Sequence, residues 1–139
     1  MKSLDTLIRL RKLALDESRR ELTELEQMQN QIEHARQNLE HEFASESATA
    51  RNDVGASYAF GEYLATVRER RAEFDRQSAE VSQRRVLAEA AVREAFREVK
   101  RFEIAENNRL GRERSEFARR DQADLDEVAL SSFRRQEQD

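Results

Sequence analysis

The sequence predicts an all-α fold, with two long helices forming an antiparallel coiled-coil hairpin and an overhanging C-terminal helix. Three observations carry that expectation. The chain has no Pro and three Gly in 139 residues, so few positions interrupt a helix. Its apolar residues recur at alternating steps of four and three, the mark of a helix with a narrow apolar stripe. The strong turn signal falls once, around residue 55.

Composition sets the size of the core. Charged residues make up 39% and hydrophobic residues 37%, whereas ordinary domains carry about 25% charged residues. That is too apolar-poor for a thick core. It is enough for a coiled-coil seam, which needs about two apolar positions in seven. A chain this polar competes with disorder. The absence of Pro and the regular spacing of the apolar residues argue for folding.

Helix one is expected over about 3–50. The template gives Leu4, Ile8, Arg11, Leu15, Ser18, Leu22, Leu25, Gln29, Ile32, Arg36, Leu39, Phe43 and Glu46, with eight of the 13 apolar. A turn is expected over about 51–57, where Asn52, Asp53 and Gly55 cluster. Gly55 suits the positive φ that ends a helix, and Ser57 suits an N-cap. Helix two is expected over about 58–133, with 134–139 as a tail. Its template gives Phe60, Leu64, Val67, Arg71, Phe74, Ser78, Val81, Arg85, Ala88, Val92, Ala95, Val99 and Phe102, with ten of the 13 apolar. Arg11, Arg71 and Arg85 are expected to snorkel outward, or else to set register.

A short connection makes the helices antiparallel neighbours. Pairing outward from residue 55 puts Leu4 opposite roughly residue 106, where the second seam runs out. Residues ~107–135 then overhang, roughly 40 Å of helix at 1.5 Å per residue. A lone helix of this composition is marginal in water, so the overhang is the sequence feature most suggestive of a partner.

Several function classes fall away. The net charge is -4 with the signs interspersed, which leaves no basic face for nucleic acid. There is no Cys, and His34 and His41 are seven apart rather than at metal-ligand spacing, so no metal site is expected. No Gly-rich phosphate loop and no carboxylate pair in an apolar pocket is present. No catalytic residue and no cofactor is expected; the chain is read as a protein-binding protein, not an enzyme. No apolar run reaches membrane-span length, and the N-terminus lacks a signal-peptide core. The expected location is cytoplasmic, without direct lipid binding.

Three surfaces stand out. The overhang carries Arg112, Arg119 and Arg120, with Asp126, Glu127 and Phe133 further along, and Arg suits interface ion pairs through its planar fork. The start of helix one carries Lys2, Leu7, Arg9 and Arg11. It is positive, while residues 16–46 hold three basic and nine acidic residues. The start of helix two gathers Tyr58, Phe60, Tyr63 and Val67. The tyrosines lie off the seam, and exposed Tyr anchors protein interfaces.

Three stretches give the chain a familiar look. They are Met1-Lys2-Ser3-Leu4-Asp5-Thr6-Leu7-Ile8-Arg9-Leu10, then Tyr58-Ala59-Phe60-Gly61-Glu62-Tyr63-Leu64, then Arg119-Arg120-Asp121-Gln122-Ala123-Asp124-Leu125-Asp126-Glu127-Val128-Ala129. Together with the length and layout, they make the chain resemble the FliJ family of the flagellar type III export apparatus, the machinery behind motility and chemotaxis. The resemblance implies a stalk whose paired terminal end, including the candidates from Lys2 to Arg11 and from Arg112 to Phe133, enters a hexameric export ATPase. It implies further contact with a membrane export-gate protein, through the Tyr58–Val67 end, and with export chaperones. A monomer in isolation is expected. The alternatives are an escort for export clients, a self-associating structural coiled coil, and the equivalent stalk of a virulence injectisome.

Overall fold

The computed structural model describes residues 2–138. The side chains of Lys2, Ser3, Val54, Ala56, Ser57 and Tyr58 lie outside that description. Two helices account for the described chain, α1 (Lys2–Asn52) and α2 (Val54–Gln138). The all-α hairpin of two long helices is therefore the fold, with both helices slightly longer than the sequence pattern suggests.

The break between them is a single residue, Asp53. Its carboxylate Oδ1 accepts a hydrogen bond from the Gly55 backbone N–H at 3.0 Å, which satisfies one of the free donors at the start of α2. Asp53 is thus the N-cap. Two expectations need correction. The backbone of Ser57 lies inside α2, three residues past its start, and no Gly among the described residues has a positive φ, so Gly55 does not end α1 in the left-handed region. An aspartate that caps the next helix makes a glycine C-cap unnecessary. Asp53→Ala should cost about 1 kcal/mol of stability, read as a lowered urea midpoint with unchanged helix content away from the turn.

The chain divides into two compact units, residues 13–96 and residues 1–12 with 97–139. In the first, α1 and α2 run antiparallel. Glu26 pairs with Arg85 at 3.7 Å, Arg36 with Asp75 at 3.0 Å and Glu40 with Arg71 at 2.7 Å, the numbers rising on one helix as they fall on the other. Leu15, Leu39, Val67, Val81 and Ala88 are buried, and each is a seam position of the heptad template. Near the break the seam drifts by one residue. Ser47 and Ala50 are half-buried, and the template's Glu46 is exposed.

Arg71 and Arg85 carry their guanidinium groups to the edge of the seam and pair there. Arg71 makes a two-pronged bond to Glu40, Nε to Oε1 at 2.7 Å and Nη2 to Oε2 at 2.8 Å, and its guanidinium lies 4.7 Å from the centre of the Phe43 ring. Arg85 donates to Gln29 at 2.8 Å across the hairpin and to Glu89 at 3.1 Å along its own helix. Each polar layer has its partner at one register only, so a slip of the helices would leave a half-buried guanidinium unpaired.

The Arg71 hydrogen bond holds the Glu40 carboxyl below its ordinary value of 4.5. A depressed folded value means the pair stabilises the hairpin above about pH 4.5 and ceases to do so as the pH falls through the lowered value. Urea midpoints measured across that acid range should fall with pH, and Glu40→Gln should flatten the dependence.

Candidate interaction surfaces

The unit formed by residues 1–12 and 97–139 begins as a paired coil and continues as a single helix. In the paired part Val99 is buried, and Leu4, Ile8 and Phe102 are half-buried. Lys12 reaches Glu103 at 3.7 Å, and the Arg11 guanidinium sits 5.6 Å from the centre of the Phe102 ring. The seam does not stop at Phe102. It turns polar: Glu106 and Arg109 continue it, paired at 2.6 Å with only 15% and 20% of their side chains exposed. Arg109 also donates to Glu113 at 2.6 Å. Its hydrogen bond to Glu106 raises its already high basicity, with the charges of Glu106, Glu113 and Asp5 adding to this. A heptad count scores charged residues as gaps, and so it missed this end of the seam.

Leu7 and Leu10 are exposed at 40% and 55%, although they border the paired stretch. Arg9 is exposed beside them. The start of α1 thus shows an apolar strip flanked by basic groups. The side chain of Lys2 falls outside the described residues.

From 111 to 138 every residue is exposed except Glu116, which is half-buried. Arg119 and Arg120 both reach Glu116, at 2.7 and 3.4 Å, and Asp126 accepts from Gln122 at 3.0 Å. These bonds stay within one helix and leave an open surface on which Arg112, Glu127 and Phe133 also sit; Phe133 is 59% exposed. Phe117, Leu125, Val128 and Leu130 are exposed as well. Large apolar side chains repeated along one stretch signify a partner surface more than scattered single residues do.

The other predicted surface is more enclosed than expected. Phe60 is half-buried, with its ring 6.1 Å from Phe43 and 5.9 Å from Tyr63. Tyr63 is also half-buried, and its hydroxyl is shielded without a hydrogen-bond partner. Burial, followed by the charges of Glu42 and Glu46, raises its ionisation above the ordinary 10.0. Val67 is fully buried. The reading of Val67 as a partner contact is therefore corrected: it is core. Tyr63 is part of the ring cluster that closes the seam, not an exposed anchor. The side chain of Tyr58 lies outside the described residues.

One surface escaped the sequence reading. Met28, Val86 and Leu87 are exposed at 40%, 61% and 72%. Met28 borders an open groove of about 340 Å³ between the helices, with Ile32, Phe74 and Arg84 among its walls. Val86 and Leu87 fall between the template positions Arg85 and Ala88, so the heptad count passed over them. No helix of the described residues is long and apolar enough to cross a membrane. No group of three or more potential metal ligands is found among them either.

The profile of the family described as flagellar FliJ protein matches residues 1–138. The chain belongs to the FliJ family. This FliJ-family chain is accordingly a flagellar export-associated protein with protein partners in the export apparatus. The two-helix fold is the coiled coil of that family. Comparison with curated proteins and with solved structures gave no significant match.

Proposed function

We propose that this FliJ-family chain is a non-enzymatic stalk and adaptor of the flagellar export apparatus. Its paired terminal end enters a hexameric export ATPase and stimulates it. The same chain links the ATPase to the membrane export gate and to export chaperones, at the cytoplasmic face of the inner membrane through protein contacts. The observation that carries this reading is the α2 stretch from 111 to 138. It is exposed almost throughout, rich in Arg and dotted with large apolar side chains.

The mechanism is differential binding. A single asymmetric coil inside a near-symmetric ring touches each subunit differently. It shifts the balance among their nucleotide states by as much as it favours one state over another. The chain supplies no catalytic residue and no cofactor; it supplies contacts. Leu7, Arg9 and Arg11 present one flank of the coil, and Arg112, Arg119, Arg120, Asp126, Glu127 and Phe133 present the exposed helix. Phe60, half-buried beside Phe43, is the remaining described candidate for the gate.

The test is ATP hydrolysis by the purified hexameric export ATPase with and without the full chain, and with Arg119 and Arg120 reversed in charge. A second reading, an escort for export clients, draws on the open groove bordered by Met28, Ile32 and Phe74. Under it, client binding survives loss of residues 111–138, and ATPase stimulation is not the readout that matters.

A further inference from the structure

The reversal between the helices rests on very little. Asp53 alone separates α1 from α2, whereas helix hairpins ordinarily turn over about two to five residues. The chain has no Pro, and no described residue has a positive φ, so no other backbone feature stops one helix from running into the next. The heptad runs through the break as well. Steps of four and three carry the α1 template from Glu46 through Ala50, Asp53 and Ser57 to Phe60, where the α2 template begins. A reversal places no demand on that phase, whereas a continuous coiled helix requires it. With Asp53 in helical conformation, α1 and α2 become one helix whose apolar stripe stays on one side throughout. Asp53 opposes that state in two ways. Its Oδ1 accepts from the Gly55 N–H at 3.0 Å, a cap that exists only where a helix starts. In a continuous helix it would also occupy a seam position, where an unpaired carboxylate is costly.

We propose that Asp53 is the latch of an exchangeable hairpin: when it gives way, α1 of each of two copies packs on α2 of the other. Within residues 13–96 the partners stay the same. Glu26 meets Arg85, Arg36 meets Asp75 and Glu40 meets Arg71 in the closed chain. Each pair is centred between residues 55 and 56, so a two-fold axis there returns the same pairs between two copies. Leu15, Leu39, Val67, Val81 and Ala88, buried in the closed seam, are buried again in the exchanged one. The two forms differ only around the break, which is the condition under which exchange of an element costs little. The closed chain holds its own α1 at an effective concentration of about a millimolar. The native chain therefore stays monomeric well below that concentration, with the latch shut. The proposal needs only this chain and does not rest on the stalk reading.

The test uses the full chain, with sedimentation equilibrium as the first readout. Asp53→Ala gives up the cap at both hinges of a dimer, about fivefold at each, so its dissociation constant should fall about twenty-five-fold. Asp53→Asn keeps an N-cap and should stay within about threefold of the native chain. Two Gly inserted after position 53 of the Asp53→Ala chain lengthen the turn and break the continuous helix. They should weaken dimerisation at least about tenfold. Because the chain has no Cys, introduced thiols can report which copy supplies each helix. Glu42 and Arg70 lie 3.9 Å apart across the hairpin, both exposed. Glu42→Cys in one copy and Arg70→Cys in another, each with Asp53→Ala, should be joined by a short bis-maleimide after the two are unfolded together and refolded. Neither variant alone should be joined, since each thiol lies about 40 Å from its counterpart along the axis. Two closed hairpins meeting at their tips would leave the mixed thiols about 40 Å apart as well. An unchanged or raised dissociation constant for Asp53→Ala, dimerisation that survives the Gly insertion, or the absence of a mixed cross-link would overturn the proposal.

Discussion

Leu39→Ala is expected to remove about 2–4 kcal/mol of stability from the hairpin of residues 13–96. Leu39 is 4% exposed. It sits in a seam only one layer thick. Truncating it deletes apolar contact and leaves a void that two stiff helices cannot collapse around without breaking the ion pairs on either side. Those are Arg36 with Asp75 at 3.0 Å and Arg71 with Glu40 at 2.7 Å. A coiled coil also concentrates its stability in few residues, so one seam leucine carries a larger share than it would in a thick core. The measurement is urea unfolding followed by far-UV circular dichroism. Leu87→Ala is the matched control. Leu87 is 72% exposed, and its truncation should stay within about 0.5 kcal/mol. Equal losses at the two positions would mean that the seam is not where the stability lies.

Reversing Arg119 and Arg120 to Glu is expected to abolish stimulation of the export ATPase while leaving the fold intact. Both side chains are 76% exposed, and their ion pairs run only to Glu116 on the same helix. Exposed pairs of this kind contribute at most about 0.5 kcal/mol each to a helix. Folding therefore has little to lose, and helix content should be unchanged. The proposed ring interface would have much more to lose. Two reversed charges replace attraction with repulsion at a surface that becomes desolvated on binding, and such changes cost several kcal/mol. Basal ATP hydrolysis by the ATPase alone gives the baseline, and stimulation by the unaltered chain gives the ceiling. Stimulation that persists at the ceiling with the double variant would remove these two arginines from the interface. Loss of stimulation together with loss of helix content would mean that the variant had failed to fold, and single reversals would then be needed to separate the effects.

The fold was largely legible in the sequence because a coiled coil writes its core as a repeat. Among the described residues Leu15, Leu39, Val67, Val81, Ala88 and Val99 are the buried apolar ones, and the spacing alone points to each. The paired end was legible as far as Phe102. Beyond it the seam consists of Glu106 and Arg109, and a count of apolar positions cannot tell a charged seam residue from a solvated one. The surfaces were legible in part. The openness of residues 111–138 follows from their lack of a partner within the pattern. The enclosure of Tyr63 does not follow from any pattern, because it depends on where the Phe43 and Phe60 rings lie.

The sequence by itself determined the two helices, their antiparallel pairing, the place of the break and the exposed C-terminal stretch. Each of these rests on local preference or on a period of 3.5 residues, and both are properties of the chain read along its length. Only the structure decided that Asp53 caps α2, and that Arg71 and Arg85 find their partners at the edge of the seam. It alone showed the Glu106–Arg109 pair as the seam's continuation. The cap is a local bond from Gly55 to Asp53; the other outcomes depend on what stands opposite a residue across the coil. A side chain with a charged end and an apolar stem is equally suited to water and to a seam, and the partner across the interface settles which it takes.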